Sequence, residues 1–386
     1  MTYKSALLFS ASILFTPLIT SAHTVEDHGI LPLDENRRQK ERTILQVPDI
    51  KGYKTLKCDL HMHTVFSDGL VWPTIRVQEA WQEGLDVIAI TDHLEYQRFK
   101  DHIPVNHNAA YETAKSSAAL TNIILIRGSE ITRNTPPGHF NAIFVDDSST
   151  LPRPKVTGNF DSDRQAIQAA EDQDAFIFWN HPGWKVTSIE GSYEWIPFVD
   201  EIRKKGMLDG IEVINGFKFH RKAMDWAIEH DLTILGTSDI HNLIAHDYDM
   251  EKGVTRSMSL VFAKERTAES VRQALEEGRT VAWSTKMLAG KEKWLTALFH
   301  ASVSVGNAYK KDGKGASYSE ISNNSDLTFE LELVDKKAKG WPSTILLNPQ
   351  TTRVLTTNKD APTTAKYTVK NAFVGGYENL VVEIGQ

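Results

Sequence analysis

Cysteine is almost missing from this 386-residue chain, which has only Cys58. That excludes an intramolecular disulfide, so stability must come from core size and from any bound metal. A basic excess is missing too: 43 Lys and Arg stand against 50 Asp and Glu, a formal net charge of -7. A surface that grips a nucleic-acid polymer carries the opposite balance. A small anionic ligand stays compatible, because a local metal cluster outweighs net charge. Low-complexity tracts are absent. No serine sits in a nucleophile-elbow motif, so a covalent nucleophile has no candidate. The longest uncharged apolar stretch, Ala6 to Ile19, is short for spanning a bilayer. Lys4 precedes it and Thr20-Ser21-Ala22 follows, which reads as a Sec-type signal peptide over residues 1–22. The expectation is an exported, periplasmic or secreted protein with no membrane attachment after cleavage.

Residues 23–54 are charged and irregular, a leader on the domain surface. From residue 55 a rhythm begins. Apolar runs (LKCDLHMH, LDVIAITDH, NIILIRGSEI, FNAIFV, AFIFWNH, GIEVING, LTILGTSDIH, SLVFA) alternate with amphipathic helical patterns such as TIRVQEAWQEG and DRQAIQAAEDQD. Near-continuous apolar strands between helices indicate an α/β fold with a parallel sheet covered by helices. The number of units suits a closed barrel over residues 55–295. From residue 296 to 386 the period becomes two, as in DLTFELELV, with no helices between strands. That predicts a small all-β, sandwich-like domain with a structural role.

Chemistry gathers at the ends of the barrel runs. The first ends in Asp59, His61, His63 and then Asp68; the second in Asp92 and His93; the third in Glu130. The next opens with His139, and later runs end in Asn180-His181 and in Asp239 and His241. In a parallel barrel these ends share one mouth. Strand alternation places His61 with His63 and Asp239 with His241, and puts Cys58 on the opposite face as a small buried hydrophobe. An isolated His-x-His is more often structural than metal-bound. Six imidazoles and three carboxylates converging are different, because burying them unpaired is costly. No lysine cluster balances them, and N/O donor sets of this kind suit zinc, manganese or iron.

DLHMHTVFSDG, ITDH, GSE, GHF, NHP and TSDIH, in this order, resemble the motifs of the PHP (polymerase and histidinol phosphatase) superfamily over about residues 55–285. The resemblance implies a distorted seven-stranded β/α barrel with two to three divalent metals that hydrolyses phosphate esters. By motif, His61, His63, Glu130 and Asp239 would hold one metal. Glu130 would bridge to a second, held also by His139 and His181. Asp68, His93 and His241 would hold the third. Some members have histidine where this chain has Asp68. Asp92, His93, Glu130 and His241 are the expected catalytic set, with Asp92 orienting an imidazole through its free N–H; Asp59 has either that role or a purely structural one. Three divalent ions against three carboxylates and a bridging hydroxide leave a charge of roughly +2, suited to a phosphate ester.

The wording around the motifs (VWPTIRVQEAW, RGSEITRNTPPGHFNAIFV, FWNHPGWK) resembles exported bacterial PHP phosphodiesterases, which implies a small-molecule diester rather than a polymer. Trp72, Tyr96, Trp179 and Trp184 are candidate walls for an ester substituent. Arg133 and Lys185 are candidate phosphate contacts, and Asn141 and Asn180 candidate donors. The alternatives are a monoesterase of the same family, an amidohydrolase-like C–N or C–O hydrolase, and a non-catalytic metal-binding protein. Amidohydrolases place a lysine or carboxylated lysine where Glu130 would bridge. A metal scavenger tends to use a flexible His-rich tract rather than separate strand ends.

Overall fold

Eight strands and six helices alternate through the first two hundred described residues of the computed structural model. In chain order these are β1 (Lys54–Asp59), α1 (Pro73–Gln82), β2 (Val87–Ile90), α2 (Ala109–Thr121), β3 (Ile124–Ile131), β4 (His139–Ile143), α3 (Asp161–Glu171), β5 (Phe176–Asn180), α4 (Pro197–Lys204), β6 (Gly210–Asn215), β7 (Lys218–Phe219), α5 (Arg221–Glu229), β8 (Thr233–Thr237) and α6 (Ile244–Asp247). Residues 42–131, 136–155, 159–184, 193–249, 252–311, 315–334 and 340–385 are described. The expected signal peptide and most of the leader lie outside them, as do Arg133 and Lys185. Residues 42–386 form one unit.

Local chemistry sets the boundaries. α1 begins at Pro73, whose fixed φ and missing N–H cost nothing at a first helical position. α2 ends on Asn122 in the left-handed region (φ 56). β2 reads VIAI and is buried throughout, because a helix layer covers one face and the barrel interior the other.

β1, β2 and β3 pair in parallel, as do β5, β6 and β8. The ring closes where Met62 bridges Ile240, with His63 N donating to Ile240 O and Asp239 N to His61 O, both at 3.0 Å. The expected parallel sheet is corrected in two places. β4 runs antiparallel to both β3 and β5; its link to β3 is too short for the helical crossover that parallel pairing requires. The SLVFA run becomes β9 (Met258–Ala263), which pairs antiparallel with β1 from Lys54 to Cys58. α7 (Ala268–Glu276), capped by Thr267, follows. Leu56, Cys58, Leu60, Val87, Ala89, Ile126, Ile143, Phe176, Phe178 and Leu235 fill the interior, with α7 residues Val271, Ala274 and Leu275 in the same cluster.

The barrel passes into the C-terminal domain through β10 (Thr280–Ser284), β11 (Met287–Gly290) and α8 (Glu292–Ser302). The expected boundary at residue 295 falls inside α8. Beyond it, β12 (Val303–Val305), β13 (Lys310–Lys311), β14 (Ser317–Asn323), β15 (Phe329–Leu333), β16 (Thr344–Leu347), β17 (Thr351–Thr357), β18 (Thr364–Phe373) and β19 (Asn379–Gly385) make the sandwich. One sheet has the order β16-β15-β18-β19; in the other β14 pairs β12, β13 and β17. Alternate residues of β18 and β19 are buried, as period two requires. β11 pairs with β18, Leu288 opposite Ala372 and Ala289 opposite Phe373. One continuous sheet therefore crosses between the two parts.

Candidate metal centre

Alternation aims the interior column of each strand at one mouth. Ile126 and Glu130 lie on one face of β3; Ile143, Asn141 and His139 on one face of β4; Phe176, Phe178 and Asn180 on one face of β5. Each column is apolar below and polar above. β1 departs from the simple expectation. Cys58 and Leu60 lie in the barrel interior, while Met62 packs in the outer core with α1 residues. The phase slips after the strand ends at Asp59, so His61 and His63 also reach the interior side, above Cys58 rather than opposite it. Gly69 closes this loop. A Cβ there would stand 2.6 Å from the His63 carbonyl carbon, so only glycine permits the approach.

All nine expected ligand side chains meet. Glu130 is at the centre and 1% exposed. Its Oε2 lies 3.1 Å from His63 Nε2, 3.4 Å from His61 Nε2 and 3.3 Å from His93 Nδ1. Its Oε1 accepts from His139 Nδ1 at 2.8 Å and lies 3.5 Å from His181 Nε2. Asp239 Oδ1 is 3.2 Å from His61 Nε2 and 3.1 Å from His63 Nε2. Asp68 lies 3.3 Å from His241 Nε2 and 3.6 Å from His93 Nε2. Donor atoms within 4.8 Å of one another form four overlapping sets: His63, Asp68, His93 and His241; His61, His181 and Asp239; His61, His63 and Glu130; His93, Glu130 and His139. Glu130 links two sets, and His61, His63 and His93 also appear twice. His63 stands with the Asp68 group, and His181 groups with His61 and Asp239.

Two ligand positions carry backbone strain. Asp239 (φ 52) and His181 (φ 26) lie in the left-handed region, which costs a non-glycine residue free energy and persists only where the surroundings enforce it. The enforcement is visible. His181 N donates to Glu212 Oε2 at 2.7 Å. Ser238, beside Asp239, donates N and Oγ to the Asp59 carboxylate at 3.1 and 2.5 Å.

Glu212 was not identified from sequence. It is fully buried on β6, and four donors converge on it: His61 Nδ1 at 2.7 Å, Thr237 Oγ1 at 2.6 Å, His181 N at 2.7 Å and Asn215 Nδ2 at 2.9 Å. It fixes the His61 tautomer with Nδ1 protonated and Nε2 presenting its lone pair to the cluster. A lone acid inside the apolar run GIEVING was the available signal.

Asp92 is corrected. Its carboxylate accepts from Thr64 N at 2.7 Å, Thr64 Oγ1 at 2.6 Å and Ser67 Oγ at 2.5 Å. It pins the loop after β1, and only through Ser67, 3.3 Å from His63 Nδ1, does it reach an imidazole. Asp59 is structural: it pairs with buried Arg256 at 3.0 Å, which also binds Glu83 at 2.8 and 2.5 Å.

Asn180 donates Nδ2 to Glu130 Oε1 at 2.9 Å and to Asn141 Oδ1 at 3.0 Å. Both amides are buried beside the bridging carboxylate and position it. Trp179 faces outward, stacked between Phe140 and Trp226, and so leaves the list of mouth residues. Trp184 is half exposed, its ring 5.5 Å from His139 and 5.7 Å from His181. Trp72, exposed, leans on Phe66. Tyr96 is half-buried.

The electrostatics describe acids and imidazoles sharing charge. Burial opposes the ionised form of Glu130, but His93, His61 and His139 outweigh it and hold the carboxyl well below its usual range. Burial opposes protonation of His63, but its contacts with Asp239 and Glu130 push it up to about 10. His93 goes the other way, to about 3, because burial dominates there. A divalent cation fits this set. His93 Nδ1 and His139 Nε2 are buried without a hydrogen-bond partner, and orphaned polar atoms need a compensating partner. Imidazole and carboxylate donors are ligands for such ions. No lysine or arginine ion pair reaches the nine residues among the described residues.

Comparison with known proteins points the same way. The PHP domain profile matches residues 59–279, and an Ig-like domain profile matches residues 303–385. The chain is similar to a solved two-domain protein from Bacteroides vulgatus containing a predicted PHP-like metal-dependent phosphoesterase. They share 38% identity over 90% of this chain and 99% of that one, with a TM-score of 0.83. It also matches a 5'-3' exoribonuclease of Haemophilus influenzae, 38% identical over 80 residues, and an uncharacterised protein of Methanocaldococcus jannaschii, 37% identical over 81 residues. These matches cover 21% of this chain and only 25% and 36% of those proteins.

Proposed function

Since the chain belongs to the PHP-domain family, we propose that it is a metal-dependent phosphoesterase acting on small phosphate diesters. The observation that carries this reading is the convergence of nine N and O donor residues, Glu130 at their centre, at the barrel mouth. His61, His63, Asp68, His93, Glu130, His139, His181, Asp239 and His241 would hold two to three ions of manganese, zinc or iron. Such ions supply Lewis acidity toward phosphoryl oxygens and a water of lowered pKa. The chain's own residues do the rest. Glu212 and Asn180 hold His61 and Glu130 in register. His241, the most exposed ring of the set, stands on the solvent side, where a substrate arrives.

The diester preference is supported by the rim. Leu70, Trp72 and Trp184 are 49%, 45% and 50% exposed. Leu70 N donates to His241 O, and Trp184 touches two imidazoles of the cluster. Apolar surface beside an ion-binding cleft suits an ester with organic substituents on phosphorus. Export through a signal peptide over residues 1–22 would separate the enzyme from cytoplasmic intermediates such as histidinol phosphate. The net charge of -7 disfavours a polymeric nucleic acid.

The test uses chelator-stripped protein reloaded with each metal in turn. Bis(4-nitrophenyl) phosphate, 4-nitrophenyl phosphate, a single-stranded RNA and a chromogenic amide and lactone are offered. Metal-dependent cleavage fastest on the diester is expected. Faster monoester turnover would overturn the diester assignment and keep the family chemistry. Faster RNA turnover would overturn the small-substrate reading, and turnover of the amide or lactone alone would overturn the phosphoesterase reading.

A further inference from the structure

We propose that the Ig-like domain positions the Trp184 wall of the cleft, through a latch in which Arg221 and Asp225 grip the backbone C=O and N–H of Gly376. This inference rests on the phosphoesterase reading for its substrate and not for its geometry.

The latch begins in the turn between β18 and β19. Gly376 N donates to Asp225 Oδ1 at 2.7 Å, and Arg221 Nη1 donates to Gly376 O. The two side chains stand four residues apart on α5, so they share one helix face. They bracket one residue from both sides, satisfying the donor and the acceptor that Gly376 contributes to its two flanking peptide groups. Gly376 is required by space: a Cβ would stand 2.6 Å from Arg221 O and 2.6 Å from Asp225 Oδ2. The Arg221 guanidinium also lies over Phe219 of the barrel and over Phe373 and Tyr377 of the Ig-like domain, at 5.3, 5.3 and 4.8 Å. Phe219 and Phe373 pack ring to ring at 4.8 Å. The contact is thus built from both domains, with charge, hydrogen bonds and apolar area together.

From the latch the path to the cleft is short. Phe219 belongs to β7, which pairs with the end of β6 (Asn215 opposite Lys218). Lys218 Nζ donates to Gly183 O at 2.8 Å. Gly183 adjoins Trp184, and its own Cβ would stand 2.7 Å from Tyr193, so the loop has no slack there. Trp184 N donates to His181 O at 2.9 Å. The Ig-like domain therefore holds β7, β7 holds Gly183, and Gly183 sets where the indole stands against His139 and His181. Arg221, Asp225 and Lys218 act as positioning residues; none touches the donor cluster.

The experiment compares Arg221→Ala, Asp225→Ala, Asp225→Asn and Lys218→Met in the full-length, metal-loaded protein. Asn keeps an acceptor for Gly376 N and serves as the rescue. For bis(4-nitrophenyl) phosphate, the first two variants and Lys218→Met should raise KM about fivefold while kcat stays within about twofold, the size of couplings carried through packed side chains. Asp225→Asn should match wild type. A second readout needs no turnover. In 5-fluorotryptophan-labelled protein the Trp184 resonance, assigned with Trp184→Phe, should shift in the three disrupting variants and not in Asp225→Asn. A role in stability alone would lower Tm with KM and the resonance unchanged, and that result overturns the proposal. If the alanine variants fail to fold, Arg221→Lys, which keeps the charge but shortens the donor that reaches Gly376 O, takes their place under the same two readouts, and an unchanged KM and resonance there overturns the proposal. If wild type cleaves no phosphate ester, the functional reading fails, and the resonance still decides the latch.

Discussion

Glu212→Gln tests the organisation of the centre more sharply than removal of any ligand. The carboxylate is fully buried and faces donors only: His61 Nδ1 and Thr237 Oγ1 on Oε1, His181 N and Asn215 Nδ2 on Oε2. A glutamine of the same shape offers one oxygen. The His181 donor is backbone N–H and cannot adapt, so the oxygen stays there and the new NH2 group turns toward His61 and Thr237. The threonine hydroxyl can rotate. The imidazole can accept only by moving its proton from Nδ1 to Nε2, the atom 3.4 Å from Glu130 Oε2 and 3.2 Å from Asp239 Oδ1. A proton then occupies the lone pair that a cation needs. Losing such an orienting partner typically costs 10–100-fold in metal affinity, about 1.4–2.8 kcal/mol. The metal-free fold should lose about 1–3 kcal/mol from the imperfect donor pairing. Calorimetric titration of chelator-stripped protein with zinc or manganese measures the first, and urea unfolding the second. A folded variant that binds metal within about threefold of wild type would refute the tautomer argument.

Three further outcomes are expected. Arg256→Met removes the fully buried cation that pairs with Asp59 and Glu83; two uncompensated carboxylates should cost about 3–5 kcal/mol in urea unfolding, and a loss under about 1 kcal/mol would show that the pairs are not buried as described. Asp209 is pushed up to about 6, mainly by burial and then by Glu171 and Glu276, against the Ile177 N–H that lowers it. The folded state therefore holds this proton more tightly than the unfolded chain, so the group's contribution falls as pH rises from about 4 to about 6. Asp209→Asn keeps an acceptor for Ile177 N and should raise Tm at pH 7.5 but not near pH 3.5; equal Tm values at both would refute the shift. Stripping metal with a chelator should lower Tm, and reloading should restore it, because an ion bound only by the folded state stabilises that state; an unchanged Tm in protein shown to be metal-free would contradict the donor assignment.

The ligand set was legible because each member ends a recognisable run, and because runs in a β/α barrel point their ends the same way. His61, His93, Glu130, His181 and Asp239 could be placed at one mouth without any knowledge of which strand lies beside which. What depended on pairing was not legible. FNAIFV has the same apolar character whether it runs parallel or antiparallel, and only its short link to the preceding strand hinted at reversal. Trp179 sits next to Asn180 in sequence, yet one step along a strand turns a side chain from the mouth to the outer core. Asp92 shows the same limit: adjacency to His93 suggested an orienting role, but its donors come from Thr64 and Ser67 on another strand's loop. Arg256 had no local signal at all, since its partners Glu83 and Asp59 lie far away in the chain.

The buried networks outside the ligand set explain why its geometry can be strained. A left-handed aspartate or histidine would relax to ordinary backbone if its neighbours allowed it. Asp239 follows Ser238, which is tied by two hydrogen bonds to Asp59, itself neutralised by Arg256. His181 hangs by its N–H from Glu212, whose other oxygen orients His61. Each strained ligand is thus held by a buried acid from a different strand, and each acid is anchored in turn by residues outside the ligand set, Asp59 by Arg256 and Glu212 by Thr237 and Asn215. Removing Arg256 should therefore loosen Asp239 through Asp59 as well as destabilise the fold, whereas replacing Glu212 should disturb His61 and His181 and spare Asp239. The two substitutions separate two supports of one cluster, and the ligands each one affects follow from the hydrogen bonds alone.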